Sequence, residues 1–275
     1  MELDKLGVLT SFIHNIVVYN IPLLYGTVGE IVVEKSGSLN LGVEGIMAVG
    51  AIIGYIVGCY ANSLAVGILM AFLTAALCGL LFAVLTVSLQ ANQNITGLTL
   101  TTFGLGVYFF VGNGLKSHGW PVMGDYANIK AGSANSVGIN VKRMKYLHIC
   151  LGCGFMGIGG YYMGLNMSGS FNSSCWINGY GWIAVALVIF ANWNPVMAIG
   201  GTFVFGFFNT LRVSASSLAA AFPGLLGWLG PIPTQVYQAL PFVITAIVLV
   251  ASFIRTREGS GLPASLGVNY FREER

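Results

Sequence analysis

The chain has 275 residues, 56% of them hydrophobic and only 8% charged, against about 25% charged in an average soluble domain. A soluble protein of this length could not cover its surface with so few charges. The composition excludes a water-soluble domain and leaves lipid as the solvent.

The charge distribution says more than the total. Between Lys35 and Lys116 the only charged residue is Glu44, and between Lys145 and Arg255 it is Arg212. A helix crosses the hydrocarbon core with about 20 mostly apolar residues, so each tract holds several crossings. Stretches such as 64–89 and 235–254 are apolar all round and lack the alternation of a transmembrane β-barrel. Helices that satisfy their own backbone are the remaining solution. The 38 glycines suit close helix packing in lipid.

In chain order, the spans are expected at 8–32, 40–60, 64–89, 95–114, 146–168, 180–192, 195–212 and 235–254. The first is expected to be a span and not a removed signal peptide, since no A-x-A-type cleavage site follows it. Segment 180–192 is short, and Asn192-Trp193-Asn194-Pro195 ends it with turn chemistry. Such a segment is either a broken element at mid-membrane or a helical hairpin at the interface. Pro223, Pro231 and Pro233 rule out one straight helix over 214–234. Lys142, Arg143 and Lys145, and then Arg255, Arg257, Arg272 and Arg275, mark cytoplasmic sides. The spans between Lys35 and Lys142 are odd in number, so either one segment is re-entrant, the 34–35 turn is external, or a crossing is missing.

No catalytic constellation is visible. His14, His118 and His148 are scattered, and no H-E-x-x-H, G-x-S-x-G or Walker A sequence occurs. Cys150 and Cys153 form a C-x-x-C within an apolar helix, where packing is the expected role. No metal site and no nucleic-acid partner are expected. Glu44 and Arg212 are the charges expected deep in the bilayer. The spans are richer in neutral polar groups, among them Asn40, Asn94, Thr99, Asn113 and Asn192. These suit a neutral solute that binds weakly, or they join helices to one another.

From Glu34 to Gly45 the chain reads E-K-S-G-S-L-N-L-G-V-E-G. This resembles the E-[RK]-S-G-x-[IL]-N-[IL]-G-x-E-G signature of permease subunits of bacterial ABC importers for nucleosides and simple sugars. Ala91–Leu98 is similar to that family's A-N-Q-x-[IV]-x-G-L. Gly179–Ala184, with Asn192–Pro195, resembles its G-x-G-[FW]-x-A…W-x-P. Pro263–Gly267 and Arg272–Glu274 look like the nucleoside-type C-terminus. The matches run from about residue 25 to the end.

The resemblance implies one all-α transmembrane permease domain over 1–275, of the type II importer class. It would have about eight to nine spans, with broken or re-entrant helices, in the bacterial cytoplasmic (inner) membrane. The implied partners are a second permease subunit (a heterologous paralogue), cytoplasmic ABC ATPases carrying ATP and Mg, and an extracytoplasmic binding protein or lipoprotein. This chain itself would carry no cofactor and would be no enzyme. The solute would be a nucleoside, with a ribose-like sugar, a furanone signal or riboflavin behind it. An ion-coupled secondary transporter is the alternative class, disfavoured by the scarcity of buried charge.

A pathway is expected along Asn40, Glu44, Asn94, Thr99, Asn113 and Asn192. A cytoplasmic coupling loop is expected at 130–145, with Gly132, Asn135, Gly138, Asn140, Lys142 and Arg143, and a cytoplasmic tail at 255–275. Gly138–Val141 matches the G-I-[NS]-V that follows the coupling loop in the family. Relatives carry a further span and a fuller G-x-N-P-x-A-A stretch before it, where this chain has only a short polar segment.

Overall fold

The computed structural model describes residues 2–116, 141–166 and 175–233, positions scattered through 235–250, and 266–267. These are helical, without strands. In chain order they form α1 (Glu2–Lys35), α2 (Val43–Ala61), α3 (Leu64–Ala83), α4 (Gln93–Lys116), α5 (Val141–Asn166), α6 (Tyr180–Phe190), α7 (Pro195–Ala221) and the short α8 (Pro223–Leu226). A π-helical turn, Val84–Ser88, extends α3, and a 3-10 turn, Gly227–Leu229, follows α8.

Local chemistry sets the ends. Ser63 caps α3 by accepting from Val66 N at 3.5 Å, and Asn62, at φ 44°, turns the chain out of α2. Asn194 caps α7 through Val196 N at 2.9 Å, with Pro195 in the first turn. Proline is suited to that position because its missing N–H would have had no partner there.

Among the described residues, four helical stretches are long and apolar enough to cross a membrane: Lys5–Lys35, Val43–Ala61, Leu64–Ser88 and Gln93–Lys116. A fifth is added if Pro195–Leu211 and Val213–Ala221, bent by 67°, count as one broken span. This is fewer than the eight to nine expected. Part of the difference is in α5, which has 26 residues but owes much of its composition to Gly and Tyr. The segment expected at 235–254 is described only at scattered positions, helical at 235–237 and 243–244. The 255–275 tail lies outside the described residues apart from 266–267.

α2 and α5 form the centre. α5 packs against α1, α2 and α3, α4 lies on α2, and α6 and α7 lie on α1. The approach is close enough to require glycine. A Cβ at Gly157 of α5 would meet Ala75 Cβ at 2.3 Å, and one at Gly50 of α2 would meet Gly157 Cα at 2.4 Å. On the far side of α2, a Cβ at Gly104 of α4 would lie 2.2 Å from Gly45 O. Within lipid, such packing supplies the attraction that water would otherwise provide.

α3 divides cleanly into two faces. Gly67, Ala71, Ala75, Cys78, Gly79 and Phe82 face inward. Leu69, Leu73, Leu77, Leu80, Leu81 and Val84 are exposed, at the spacing of one helical face, and present an apolar surface suited to lipid.

Candidate functional site

The α1–α2 connection is a polar knot inside an apolar bundle. At its start Ser36 N and Oγ donate to Val33 O at 3.0 and 2.6 Å, and Gly37 N donates to Glu34 O at 2.8 Å. Gly37 has φ 86°, a conformation glycine adopts without strain. The Asn40 side chain then closes a second turn, its Oδ1 accepting from Gly42 N at 2.9 Å. Asn40 N and Nδ2 donate to Glu30 at 3.3 and 3.4 Å.

α4 supplies the remaining partners. Gln93 Oε1 accepts from Leu39 N at 2.7 Å, and the Thr101 hydroxyl donates to Leu41 O at 3.0 Å. Without them, half-buried peptide groups of this turn would lack partners, at up to about 1–3 kcal/mol each.

The same connection holds both ends of α6. At the N-terminal end, Glu44 accepts from Gly179 N and Gly181 N, each at 2.7 Å. An acceptor carboxylate here meets the orphan N–H groups and the positive end of the helix dipole. Space is as tight as the bonds are short: a Cβ at Gly181 would sit 2.4 Å from Glu44 N and Cα. At the other end, Trp193 Nε1 donates to Glu34 Oε2 at 2.5 Å. Asn192 and Trp193 have φ of 50° and 56°, so the α6–α7 turn runs through the left-handed region twice. α6 itself has 11 residues, about 16 Å of rise, roughly half the hydrocarbon core. Its Tyr180 hydroxyl is hydrogen-bonded by Asn209 Nδ2 of α7.

The residues singled out from sequence separate into two groups. Asn40 and Glu44 are buried, at 0% and 5% exposure, and their side chains are engaged in the knot. Asn94, Thr99 and Asn113 are exposed on α4. They share that outward side with Leu98, Thr102, Phe103 and Phe110, at three- and four-residue spacing. The Thr99 hydroxyl bonds back to Ile95 O at 2.8 Å. Asn192 is exposed on the α6–α7 turn.

Of the expected coupling residues, Gly132, Asn135, Gly138 and Asn140 lie outside the described residues. Lys142 belongs to the first turn of α5. Arg143 is exposed there, and with Tyr146, Leu147 and Cys150 it lines an open groove of about 430 Å³. Cys153 is fully buried, and no group of three His, Cys, Asp or Glu is gathered for a metal among the described residues.

Glu30 and Glu34 correct the sequence reading. The sequence places only Glu44 and Arg212 as charges deep in the bilayer and sets Glu34 in a turn. Glu30 and Glu34 both belong to α1, at 0% and 2% exposure. With Glu44, three carboxyl side chains are therefore buried among the described residues, and a scarcity of buried charge no longer disfavours ion coupling. A signal was available: Asn20, Thr27, Glu30 and Glu34 recur at helical spacing along one side of an apolar span, and all four are buried.

Residues 12–119 match the family model described as branched-chain amino acid transport system / permease component. The chain is 30% identical to the putative glucose ABC transporter permease protein TsgC13 of Haloferax volcanii, over 91% of this chain and 94% of that protein. It is 27% identical to the nucleoside ABC transporter permease protein NupC of Lactococcus lactis, over 99% of this chain and all of that one. It is 24% identical to the guanosine ABC transporter permease protein NupQ of Bacillus subtilis, with the same coverage. The last two comparisons extend over 331 and 332 positions. These exceed the 275 residues present, so the relatives carry segments that this chain lacks. No solved structure matches.

Proposed function

The chain belongs to the permease family of ABC transporters, and from that premise we propose that it is the transmembrane subunit of an importer for a small neutral polar solute, a nucleoside first. Partner ATPases, with their ATP and Mg, drive alternating access across the cytoplasmic membrane, and an extracytoplasmic binding protein delivers the solute. The observation that carries the nucleoside reading is end-to-end similarity to two proteins named for guanosine and nucleoside transport.

The polar outward side of α4 supports a path between this chain and a second permease subunit. Hydrocarbon offers amides and hydroxyls no hydrogen-bond partner, so Asn94 and Asn113 call for water, solute or protein beside them. The knot beneath that surface keeps α4 fixed to the α1–α2 turn. The basic start of α5, with the loop before it, is the ATPase contact in this reading. Replacing Gly138 or Asn140 is then expected to separate ATP hydrolysis from uptake while the complex still assembles.

A sugar is the second reading, favoured by the 30% identity to a protein named for glucose. Uptake of labelled guanosine, adenosine and glucose by cells with and without this chain tests the choice. The nucleoside reading expects guanosine or adenosine uptake to depend on the chain and to resist excess glucose. Glucose uptake that depends on the chain, with nucleoside uptake unchanged, overturns it.

A further inference from the structure

Two spans locate the membrane boundary near the start of α5. α1 ends at Lys35, and α1 and α5 run antiparallel: a Cβ at Gly29 would lie 2.5 Å from Gly152 O, and one at Gly159 would lie 2.9 Å from Pro22 O. The start of α5 therefore lies at the Lys35 end of the bundle. The span that ends at Ser88 reaches the same level, where Ser88 Oγ and the Tyr146 hydroxyl are hydrogen-bonded at 2.6 Å. Lys35, Lys142, Arg143 and Lys145 gather at this end, and such a basic cluster marks the cytoplasmic face. Glu30 and Glu34, the acids of the same half of α1, are buried and bonded to Asn40 and Trp193, so their side chains are spent in the knot.

One face of α5 crosses that boundary. Arg143, Tyr146, Leu147 and Cys150 line the open groove, at the three-, four- and seven-residue spacing of a single helix side. The same side continues inward through Leu151 and Phe155, which are 39% and 36% exposed, beyond Leu147 at 51%. Its chemistry is graded. A guanidinium stands outermost and a phenol at the boundary, and beyond them come only apolar side chains and a thiol. From Tyr146 to Phe155 the helix rises about 14 Å, close to the depth of one hydrocarbon leaflet, about 15 Å. A lipid against this groove meets a cation at the depth of its phosphate and apolar surface at the depth of its chains.

We propose that this face of α5 holds an anionic phospholipid of the cytoplasmic leaflet, with its phosphate against Arg143 and an acyl chain along Leu147, Cys150, Leu151 and Phe155. Charge complementarity selects the occupant. Basic clusters beside a span attract the anionic lipids of that leaflet, and a guanidinium pairs with phosphate through two parallel hydrogen bonds. A zwitterionic headgroup brings its own cation into the cluster and gains less. The inference goes beyond the transport reading and is independent of which solute is carried. The ATPase contact proposed above uses the loop and the first basic turn of α5, whereas the groove runs from that turn along the membrane side of the helix.

Native mass spectrometry of the purified complex, with its ATPases, tests the proposal when phosphatidylglycerol and phosphatidylcholine are added at equal concentration. The wild type is expected to retain phosphatidylglycerol severalfold more strongly. Arg143→Gln should abolish that preference. Lys116→Gln, which removes an exposed cation at the far end of α4, should keep it. Leu147→Gln should lower the retention of phosphatidylglycerol, and glycerophosphoglycerol, the same headgroup without chains, should not compete. A wild type without the preference overturns the proposal, whether or not the variants fold, and so does a preference that survives in Arg143→Gln. Competition by glycerophosphoglycerol overturns it in favour of a soluble anion. Loss of the ATPase from Arg143→Gln with the lipid preference intact overturns it in favour of an ATPase contact.

Discussion

Glu44 and Gly181 are 137 positions apart in the chain, yet the Gly181 N–H donates to the Glu44 carboxylate at 2.7 Å. The second oxygen of the same carboxylate accepts from Gly179, so one side chain of α2 serves as the N-terminal cap of α6. Glu44→Gln keeps the shape but leaves a single acceptor oxygen, and one buried N–H then faces an amide NH2. The expected cost is about 1–3 kcal/mol. It should appear as a lower melting temperature of the purified protein and reduced uptake.

Gly181→Ala should be more damaging than its size suggests. The added carbon would fall 2.4 Å from Glu44 N and Cα, where backbone on both sides must move, at about 1–3 kcal/mol or more. Gly200→Ala is the matched comparison, because nothing lies within 4 Å of its added carbon. Within α7 it should be neutral or stabilising, by up to about 1 kcal/mol. Detergent-solubilised yield and thermal stability measure both.

The outward side of α4 and the buried knot should part company under substitution. Alanine at Asn94, Thr99 or Asn113 removes no buried partner, since all three are exposed. Stability should stay within about 0.5 kcal/mol while the uptake rate falls severalfold. Gln93→Leu should do the reverse, because it strips the acceptor from Leu39 N and lowers stability by about 1–3 kcal/mol. Single cysteines at the three α4 positions, in a background without native cysteines, should react with a small water-soluble thiol reagent. Failure of all three to label with and without ATP, together with intact uptake in the alanine variants, removes them from the pathway.

The legible part of the fold was the part written in local hydropathy. Segments expected at 40–60 and 64–89 became α2 and α3 with its π-helical turn, within a few residues. The short element before Asn192 became α6, because Asn194-Pro195 starts the next helix by its own capping chemistry. The central place of α5 was not legible. Its glycines lower its hydropathy, and the contacts they permit, such as Gly157 on Gly50 and Ala75, depend on helices more than 70 positions away. The joining of the motifs was hidden for the same reason. Leu39 and Gln93, or Glu34 and Trp193, show no spacing that announces a bond. The burial of Glu30 was not legible because a lone acid near a span end looks like an interfacial charge, and only its register with Asn20, Thr27 and Glu34 sets it inside.

Reconstituted transport tests the central claim most directly. The chain is placed in proteoliposomes with a second permease subunit and the ATPase, and labelled nucleoside is presented with its binding protein. The account predicts accumulation that requires ATP and stops when the ATPase is omitted or made unable to hydrolyse. Accumulation by this chain alone, driven by a proton or sodium gradient without any ATPase, would contradict it.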